Sequence, residues 1–284
     1  MTELTEAASI LHPEAEATHR LVKMRTFGIG ERSTAPISII TGILLLAAWW
    51  GVAKSGLVAH LFLPTPEEVV KQAVAVYNDG YAGASLWEHV SASLFRILSA
   101  AFVACLFGVP VGLAMGLNRW AKGVLDTPIE FYWPLPPLAY LPLMIIWLGI
   151  GETSKVTLLV LAMFAPICLS AQAGVRSLPI ERVNAALSLG ASRWNLFFDI
   201  VLPSALPEIL TGIRIALGVG WGTLVAAELI AATRGIGFMI MSASQFLATD
   251  VVFVGIGIIA ACAFAFTLVM RALEAWLVPW KGKS

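Results

Sequence analysis

Six stretches of this sequence are apolar over roughly 20 residues, the length that a helix needs to cross a bilayer core about 30 Å thick. With soft edges, these stretches cover residues 35–53, 93–117, 130–150, 156–174, 206–230 and 252–273. Lipid offers no hydrogen-bond partner for a backbone N–H or C=O group, so each stretch is predicted to be an α-helix. The sequence therefore predicts an all-α membrane protein with six transmembrane helices.

The composition agrees with this class and argues against two others. Charged residues make up 13% of the chain, about half the share in an ordinary soluble domain. Hydrophobic residues make up 58%, whereas a disordered chain needs low hydrophobicity and high charge. The net charge of +0 provides no basic field for nucleic acid, so the expected surroundings are membrane lipid.

The positions of Lys and Arg predict that both termini face the cytoplasm. With the N-terminus inside, twelve of these residues lie in or beside inner segments and four in outer ones. Cytoplasmic loops of membrane proteins carry such an excess of positive charge. The predicted organisation is a cytoplasmic tail over 1–34, a membrane domain over 35–275 and a second cytoplasmic tail over 276–284.

The outer loop over 54–92 contains the pattern of a helix start. Thr65 can cap a helix, and Pro66 suits its first turn. Glu67 and Glu68 place negative charge at the positive end of the helix dipole. We expect a short helix lying along the outer face.

The inner loop over 175–205 is the most informative segment. It reads as a short helix, a break at Gly190 and a second amphipathic segment that ends at Pro203. Small side chains at Ala185, Ala186 and Ala191 leave a surface around which a groove of another protein could close. Apolar and small residues at helical spacing in such a loop indicate a docking element.

The same loop resembles the cytoplasmic signature of bacterial ABC importer permeases. That signature is Glu-Ala-Ala, three residues, Gly, nine residues, Ile, one residue and Leu-Pro. The matching positions, with every spacing intact, are Ala185, Ala186, Gly190, Ile200, Leu202 and Pro203. The chain departs from the pattern at Asn184, where the family has Glu. Asparagine is uncharged, so it does not provide the ion pair to the ATPase that a Glu at this position could form.

The resemblance implies the type I importer permease (MetI-like) fold and a homodimer with the pathway on its two-fold axis. Two separate ATPase subunits are then expected to bind ATP and Mg, with no cofactor and no catalytic site in this chain. The ATPase-docking residues implied are Asn184, Ala185, Ala186, Leu187, Leu189, Gly190, Ala191, Ser192, Arg193, Ile200, Leu202 and Pro203.

Other parts of the sequence resemble the permeases of this family that import taurine. They are the stretches over 136–144, 149–155 and 206–235. The likeness implies a permease of the bacterial inner membrane that receives taurine from a periplasmic taurine-binding protein. Permeases for alkanesulfonates or nitrate share parts of these stretches and are the alternatives within the family.

Prolines interrupt the stretch over 130–150 and suggest a place on the transport pathway. No smooth helix accommodates the four prolines of this stretch, and irregular backbone at membrane depth survives only inside protein or beside a water-filled cavity. The alternative is a kinked helix buried in packing. Candidate pathway or gate residues here and in later segments are Trp133, Pro137, Tyr140, Trp221, Glu228, Phe238 and Met239.

Two charged residues of the fifth stretch are candidate functional groups, because charge within a membrane is costly. Arg214 could contact a sulfonate oxygen, since a guanidinium suits anions, or form a structural ion pair, which we favour. Glu208 is six residues away and does not share the i, i+4 face. Glu228 is expected to have a structural or gating role rather than to bind substrate. The glycine-hinged segment over 231–241 that follows is either an outer gate or an interfacial helix.

Glycines repeat every four residues on two stretches, at Gly108, Gly112 and Gly116 and again at Gly218 and Gly222. Small residues at this spacing allow helices to approach closely, so we expect close packing at both.

The sequence argues against a metal site and an enzyme. No pair among the four His residues has ligand spacing, and no nucleophile has a plausible base beside it. A secondary transporter or channel is the alternative of a different class. It would need intramembrane acids for ion coupling, and the six stretches are nearly free of acids away from their ends.

Overall fold

The structure, a computed structural model, describes residues 35–280, apart from the side chains of residues 35, 230 and 231. The predicted tail over 1–34 and the last residues of the tail over 276–284 lie outside the described residues. The chain divides into two units, Met1–Ala48 and Trp49–Ser284. Helix α1, Ala35–Lys54, crosses the boundary between them. The apolar side chains of its first part are exposed, as expected of a helix surrounded by lipid.

Helices make up the second unit, and the described residues contain no strand. The elements that follow α1 are α2 (Pro66–Asp79), α3 (Leu86–Leu117), α4 (Arg119–Tyr132), α5 (Pro137–Leu148), α6 (Glu152–Arg176), α7 (Ile180–Ser188), α8 (Arg193–Asn195), a π-helical turn (Leu196–Val201), α9 (Leu202–Ala231), α10 (Ile236–Gln245) and α11 (Thr249–Leu277). This confirms the predicted all-α class.

Within the described part of the chain, five helical segments are long and apolar enough to cross a membrane. They are Pro36–Lys54, Leu86–Leu117, Glu152–Arg176, Arg193–Leu229 and Thr249–Leu277. A sixth crossing exists only if α4 and α5 form one span, because the chain bends by 102° between them. The predicted stretch over 130–150 is therefore interrupted at residues 133–136, where two of its four prolines, Pro134 and Pro136, lie.

Capping explains where two helices begin. At the start of α2, the Thr65 hydroxyl accepts from the backbone N–H of Glu68, and the Glu68 carboxylate accepts from the N–H of Thr65. This confirms the short helix predicted from Thr65 and Pro66. Ser85 and Glu88 make the same reciprocal pair at the start of α3. Helix α3 consequently begins before residue 93, the predicted edge of its apolar stretch.

Helix α6 lies at the centre of the second unit, between α3 and α9, and carries many of its buried residues. The glycines of α3 allow the close approach. A Cβ atom at Gly112 would meet the Cys168 carbonyl oxygen and the Ala171 side chain, and one at Gly116 would meet Val175. The packing predicted for this glycine repeat is confirmed.

The packing predicted for the second glycine pair is wrong within the described chain. A Cβ atom at Gly218 or at Gly222 would meet no described atom within 4 Å. Both glycines lie on an exposed side of α9. Their spacing matches a packing pattern, but no helix of the described chain packs directly on them; Gly218 instead lines a small cavity between α9 and α11.

The end predicted for the amphipathic segment at Pro203 is also wrong. The helix continues through the π-helical turn into α9, and Pro203 lies in the first turn of α9. Proline has no N–H to donate to the preceding turn, and the π-helical turn directly before Pro203 is where the hydrogen-bond pattern shifts to i→i−5, from the N–H of Leu202 to the carbonyl of Phe197. The chain from Arg193 to Leu229 therefore forms one long helical segment.

Candidate functional site

The predicted docking segment lies on the surface around helix α7. No residue of α7 is buried. Leu189 is 90% exposed, Trp194 is 72% exposed and Leu187 is 49% exposed, so three large apolar side chains lack cover within the described chain. Water disfavours exposed apolar side chains, and several of them in one short segment are consistent with an interaction surface.

The turn at Gly190 shapes this surface. Gly190 has φ +82°, a left-handed conformation that glycine adopts at little cost. The N–H of Gly190 donates to the Leu187 carbonyl, and the N–H of Ala191 donates to the Ala186 carbonyl. These two bonds form a Schellman motif, which satisfies the last carbonyls of α7. Ser192 then caps α8 by accepting from the N–H of Asn195.

The structure divides the predicted docking residues into two groups. Those from Asn184 to Arg193 lie at or near the surface. Ile200, Leu202 and Pro203 are half-buried, and Leu202 packs beside the buried Val201 and Ala205. The half-buried residues therefore anchor the segment to the rest of the chain, and the residues from Asn184 to Arg193 form its exposed surface.

The predicted pathway residues fall in three separate places. Trp133 and Pro137 lie at the bend between α4 and α5, with Tyr140 packed near Leu141. Trp221 is buried on α9 and makes an edge contact with Phe266, with ring centroids 5.9 Å apart. The third place is α10.

Helix α10 holds the two gate candidates that follow Glu228 in the chain. Met239 is buried beside Val76 of α2 and Val251 of α11. Phe238 stacks on His89 of α3, with ring centroids 6.2 Å apart. Helix α10 therefore packs among α2, α3 and α11.

Glu228 is the centre of a buried polar network at the end of α9. Its carboxylate is fully buried and accepts from Arg96 Nη1 at 2.5 Å. It also accepts from the Ser93 hydroxyl at 2.7 Å and from the backbone N–H of Gly237 at 2.8 Å. A buried charge needs this kind of pairing, because desolvation otherwise costs several kcal/mol.

Arg96 connects this carboxylate to the start of α6. Its Nε and Nη2 atoms donate to the two oxygens of Glu152 at 2.5 and 2.7 Å. Lys155 donates to the same carboxylate at 2.9 Å. The network thus contains two cations and two anions, and it joins α3, α6 and α9.

The glycine-hinged segment after Glu228 is held against the same end of α3. Arg234 donates to Glu88 at 2.9 Å, and the N–H of Ile236 donates to the Ser93 hydroxyl at 2.9 Å. A Cβ atom at Gly235 would collide with the Glu228 carboxylate. The segment therefore needs glycine there to close over the buried charge.

Glu228 was recognisable from the sequence as a candidate, but its partners on α3 were not predicted. The signal was present, because His89, Ser93 and Arg96 have the i, i+4, i+7 spacing of one helix face. The Nδ1 atom of His89 lies within hydrogen-bond distance of both the backbone N–H and the carbonyl oxygen of Gly235, so this helix face reaches the start of α10. Arg96 was also a charge at the edge of an apolar stretch, which by itself marks a position of interest.

Arg214 pairs with Glu274 of α11 through its Nη2 atom. Glu208, the acid nearest in sequence on α9, is exposed and forms no ion pair with Arg214. The Arg214 side chain also lines a small cavity between α9 and α11, with Trp221 on the same wall. A role for Arg214 toward substrate stays a prediction.

Comparison with known proteins identifies the family. Residues 108–281 match the family described as "Binding-protein-dependent transport system inner membrane component". The taurine transport system permease protein TauC of Escherichia coli K12 is 57% identical over 87% of this chain and 90% of its own length. The putative aliphatic sulfonates transport permease protein SsuC of the same organism is 37% identical over 87% and 91%.

The fold has solved counterparts. A chain of the inward-facing MetNI methionine ABC transporter superposes with a TM-score of 0.54 at 17% identity, over 66% of this chain and 95% of that one. At this identity the likeness concerns the fold alone. Together with the membrane-length helices, these matches show a multi-pass inner-membrane protein, and the chain belongs to the family of binding-protein-dependent transport system inner membrane components.

Proposed function

We propose that this chain is the transmembrane permease subunit of an ATP-driven importer that carries taurine across the bacterial inner membrane. The observation that carries the proposal is the 57% identity to the taurine permease TauC, which extends over 87% of the chain. The identity to the aliphatic sulfonates permease SsuC is 37% over a similar length. The chain is the membrane component and not itself an enzyme.

The proposed assembly is a homodimer in lipid with two ATPase subunits on the inner side and a binding protein on the outer side. Each chain crosses the membrane six times, with α4 and α5 forming one bent crossing, and both termini lie in the cytoplasm. This chain holds no cofactor, and the ATPase subunits bind ATP and Mg. The exposed Leu187, Leu189 and Trp194 support an ATPase contact at α7.

A single helical segment connects the docking surface to the opposite side of the membrane and can therefore transmit movement across it. The segment Arg193–Leu229 begins at the docking residues and contains Glu228 near its other end. At 1.5 Å per residue, a helix of 37 residues is about 55 Å long. A tilt of the docking surface therefore displaces the far end, where Glu228 meets α3.

ATP drives this movement only through a difference in affinity. The ATPase pair must bind ATP more tightly in the closed arrangement than in the open one, because equal affinity shifts no equilibrium. The permease then follows the state that ATP favours. On this account, the docking residues transmit the effect of the difference in ATP affinity to the membrane helices. The polar network around Glu228, near the outer end of Arg193–Leu229, moves with that helical segment.

The test is ATP-driven uptake in proteoliposomes that contain this chain and its ATPase, with binding protein loaded with radiolabelled taurine. We expect uptake that requires both ATP and the binding protein. ATP hydrolysis stimulated only by a binding protein loaded with an alkanesulfonate or nitrate would keep the importer and change the substrate. Uptake without an ATPase would contradict the proposal and indicate a secondary carrier or channel.

A further inference from the structure

A small cavity of about 80 Å³ lies between α9 and α11. Its walls include Arg214, Gly218 and Trp221 from α9, together with Phe266, Thr267 and Met270 from α11. The three α9 residues have the i, i+4, i+7 spacing of one helix face, and they lie near the middle of α9. The α11 residues lie in the C-terminal half of that helix, toward Glu274.

Two buried N–H donors of this cavity find no acceptor among the described residues. They are Nε of Arg214 and the indole Nε1 of Trp221. Trp221 is 6% exposed, so water has little access to its N–H. A buried donor without a partner costs about 1–3 kcal/mol, and native proteins keep few of them. The two donors together indicate a ligand that supplies acceptors.

The chemistry of the walls selects an acceptor-rich anionic group. The hydroxyl of Thr267 already donates to the carbonyl of Ala263, so it offers a lone pair but no further N–H or O–H donor. Both remaining donors are N–H groups, and one belongs to a guanidinium, which favours oxyanions. A cavity of about 80 Å³ has room for a group of several heavy atoms, such as a sulfonate.

Glu274 sets the strength of such a site. It accepts from Nη2 of Arg214 and therefore offsets much of the guanidinium charge. An anion in the cavity gains two directional hydrogen bonds without a full opposing charge. Weak binding of this kind suits a transit site, because a transported group must enter and also leave.

We propose that the cavity between α9 and α11 binds the sulfonate group of the substrate in transit, through the N–H groups of Arg214 and Trp221. This inference rests on the proposed function and assigns the part of the chain that contacts the substrate. The phosphate of an anionic lipid offers the same acceptors, and the experiment separates the two sources.

The test measures taurine imported per ATP hydrolysed in proteoliposomes of zwitterionic lipid, for Trp221→Phe and for Arg214→Lys. Trp221→Phe keeps an aromatic ring against Phe266 and removes the indole N–H. Arg214→Lys keeps a cation for Glu274 and removes Nε. Each change deletes one hydrogen bond to an anion, so we expect the ratio to fall about tenfold.

The matched control is Trp49→Phe. The indole N–H of Trp49 donates to the Pro64 carbonyl at 3.2 Å, away from the cavity. This variant is expected to keep the wild-type ratio. If one cavity variant does not reach the membrane, the other carries the test.

Three results would overturn the proposal. An unchanged ratio in both cavity variants would leave the donors without a role in import. Uptake and hydrolysis that fall in proportion would make the residues structural. An effect seen only in vesicles that contain phosphatidylglycerol would assign the cavity to lipid phosphate. Wild-type protein that imports no taurine in the same assay would instead refute the proposed function.

Discussion

Burial makes the pair of Arg96 and Glu228 far more sensitive to substitution than a surface ion pair. Their side chains are 3% and 0% exposed, so either charge left alone stays out of water. The two residues are not equivalent, however. Arg96 also binds Glu152, whose side chain is 52% exposed and reaches solvent. Loss of Glu228 leaves Arg96 a partner, whereas loss of Arg96 leaves Glu228 a buried charge that no other cation of the network contacts.

We therefore predict that Arg96→Met destabilises the protein by roughly 3–5 kcal/mol, as expected when one partner of a buried pair is removed. For a chain of this size, the melting temperature should fall by on the order of 10 °C. Glu228→Gln should cost less. The double variant with Arg96→Met and Glu228→Gln should recover much of the loss, because no buried charge is then left without a partner: the buried Lys155 keeps Glu152. Thermal unfolding of the purified protein in detergent measures all three.

Lys122→Met is the control for this series. Lys122 and Asp126 form a partly exposed pair one helical turn apart at 3.5 Å. Such pairs contribute about 0–1 kcal/mol, so the melting temperature should hardly move. A drop after Lys122→Met equal to that after Arg96→Met would show that burial is not the reason for the sensitivity.

A charged residue of interest can be recognised from the sequence more readily than the residue with which it pairs. Glu228 was identifiable because an acid near the end of an apolar stretch is costly. Its partner Arg96 is 132 residues away along the chain, and Glu274 is 60 residues from Arg214. Sequence spacing predicts neighbours only within one helix. The pairings depend on how α3, α9 and α11 pack, which no local pattern specifies.

At the scale of elements, local chemistry was predictable where a cap or a turn decides the structure. Thr65 and Pro66 were sufficient to predict the start of α2, and Gly190 to predict the break after α7. Pro203 was misleading, because the helix accommodates this proline after the π-helical turn that precedes it and does not end there. The apolar edge at residue 93 was also misleading, since hydropathy does not detect the polar first turns that Ser85 and Glu88 cap.

Gly190 offers a test of the docking segment that separates backbone conformation from side-chain packing. A Cβ atom there would meet no described atom within 4 Å, so a substitution acts through φ +82° alone. Valine is strained at positive φ by roughly 1–3 kcal/mol, whereas asparagine adopts this conformation readily. We predict that Gly190→Val abolishes taurine uptake and that Gly190→Asn largely retains it.

The readouts are uptake and copurification of the ATPase with the tagged permease. Gly190→Val should remain in the membrane while its ATPase is lost, because the strain is confined to the turn. Gly123→Val on α4 is the control, since Gly123 also has open space around its Cβ position but no positive φ. Equal uptake by Gly190→Val and the wild type would remove the turn from the docking mechanism.

At the scale of the whole molecule, the number of crossings depends on one feature, the 102° bend between α4 and α5. The charge distribution predicts the sides of the loops only if this pair crosses. If it enters and returns to the same side, the segments that follow exchange sides. Hydropathy cannot choose between the two, because it measures how apolar a stretch is and not where the chain emerges. Pro134 and Pro136 are compatible with both paths.

Two exposed positions on either side of the bend distinguish these topologies. Asn78 at the end of α2 and Ser188 at the end of α7 are both exposed. Between them lie α3, the bent pair and α6. If the bent pair crosses, three crossings separate the two residues and they face opposite sides. If it returns, two crossings separate them and they face the same side.

We predict opposite sides, with Asn78 outside and Ser188 in the cytoplasm, as the excess of Lys and Arg in the inner segments requires. The measurement uses Asn78→Cys and Ser188→Cys in a chain whose Cys105, Cys168 and Cys262 are replaced by serine. A membrane-impermeant maleimide, applied to cells with a permeable outer membrane, should label only the first. The second should react after the inner membrane is disrupted. Labelling of both in intact cells would show a re-entrant pair, and it would place α7 where no cytoplasmic ATPase can reach it.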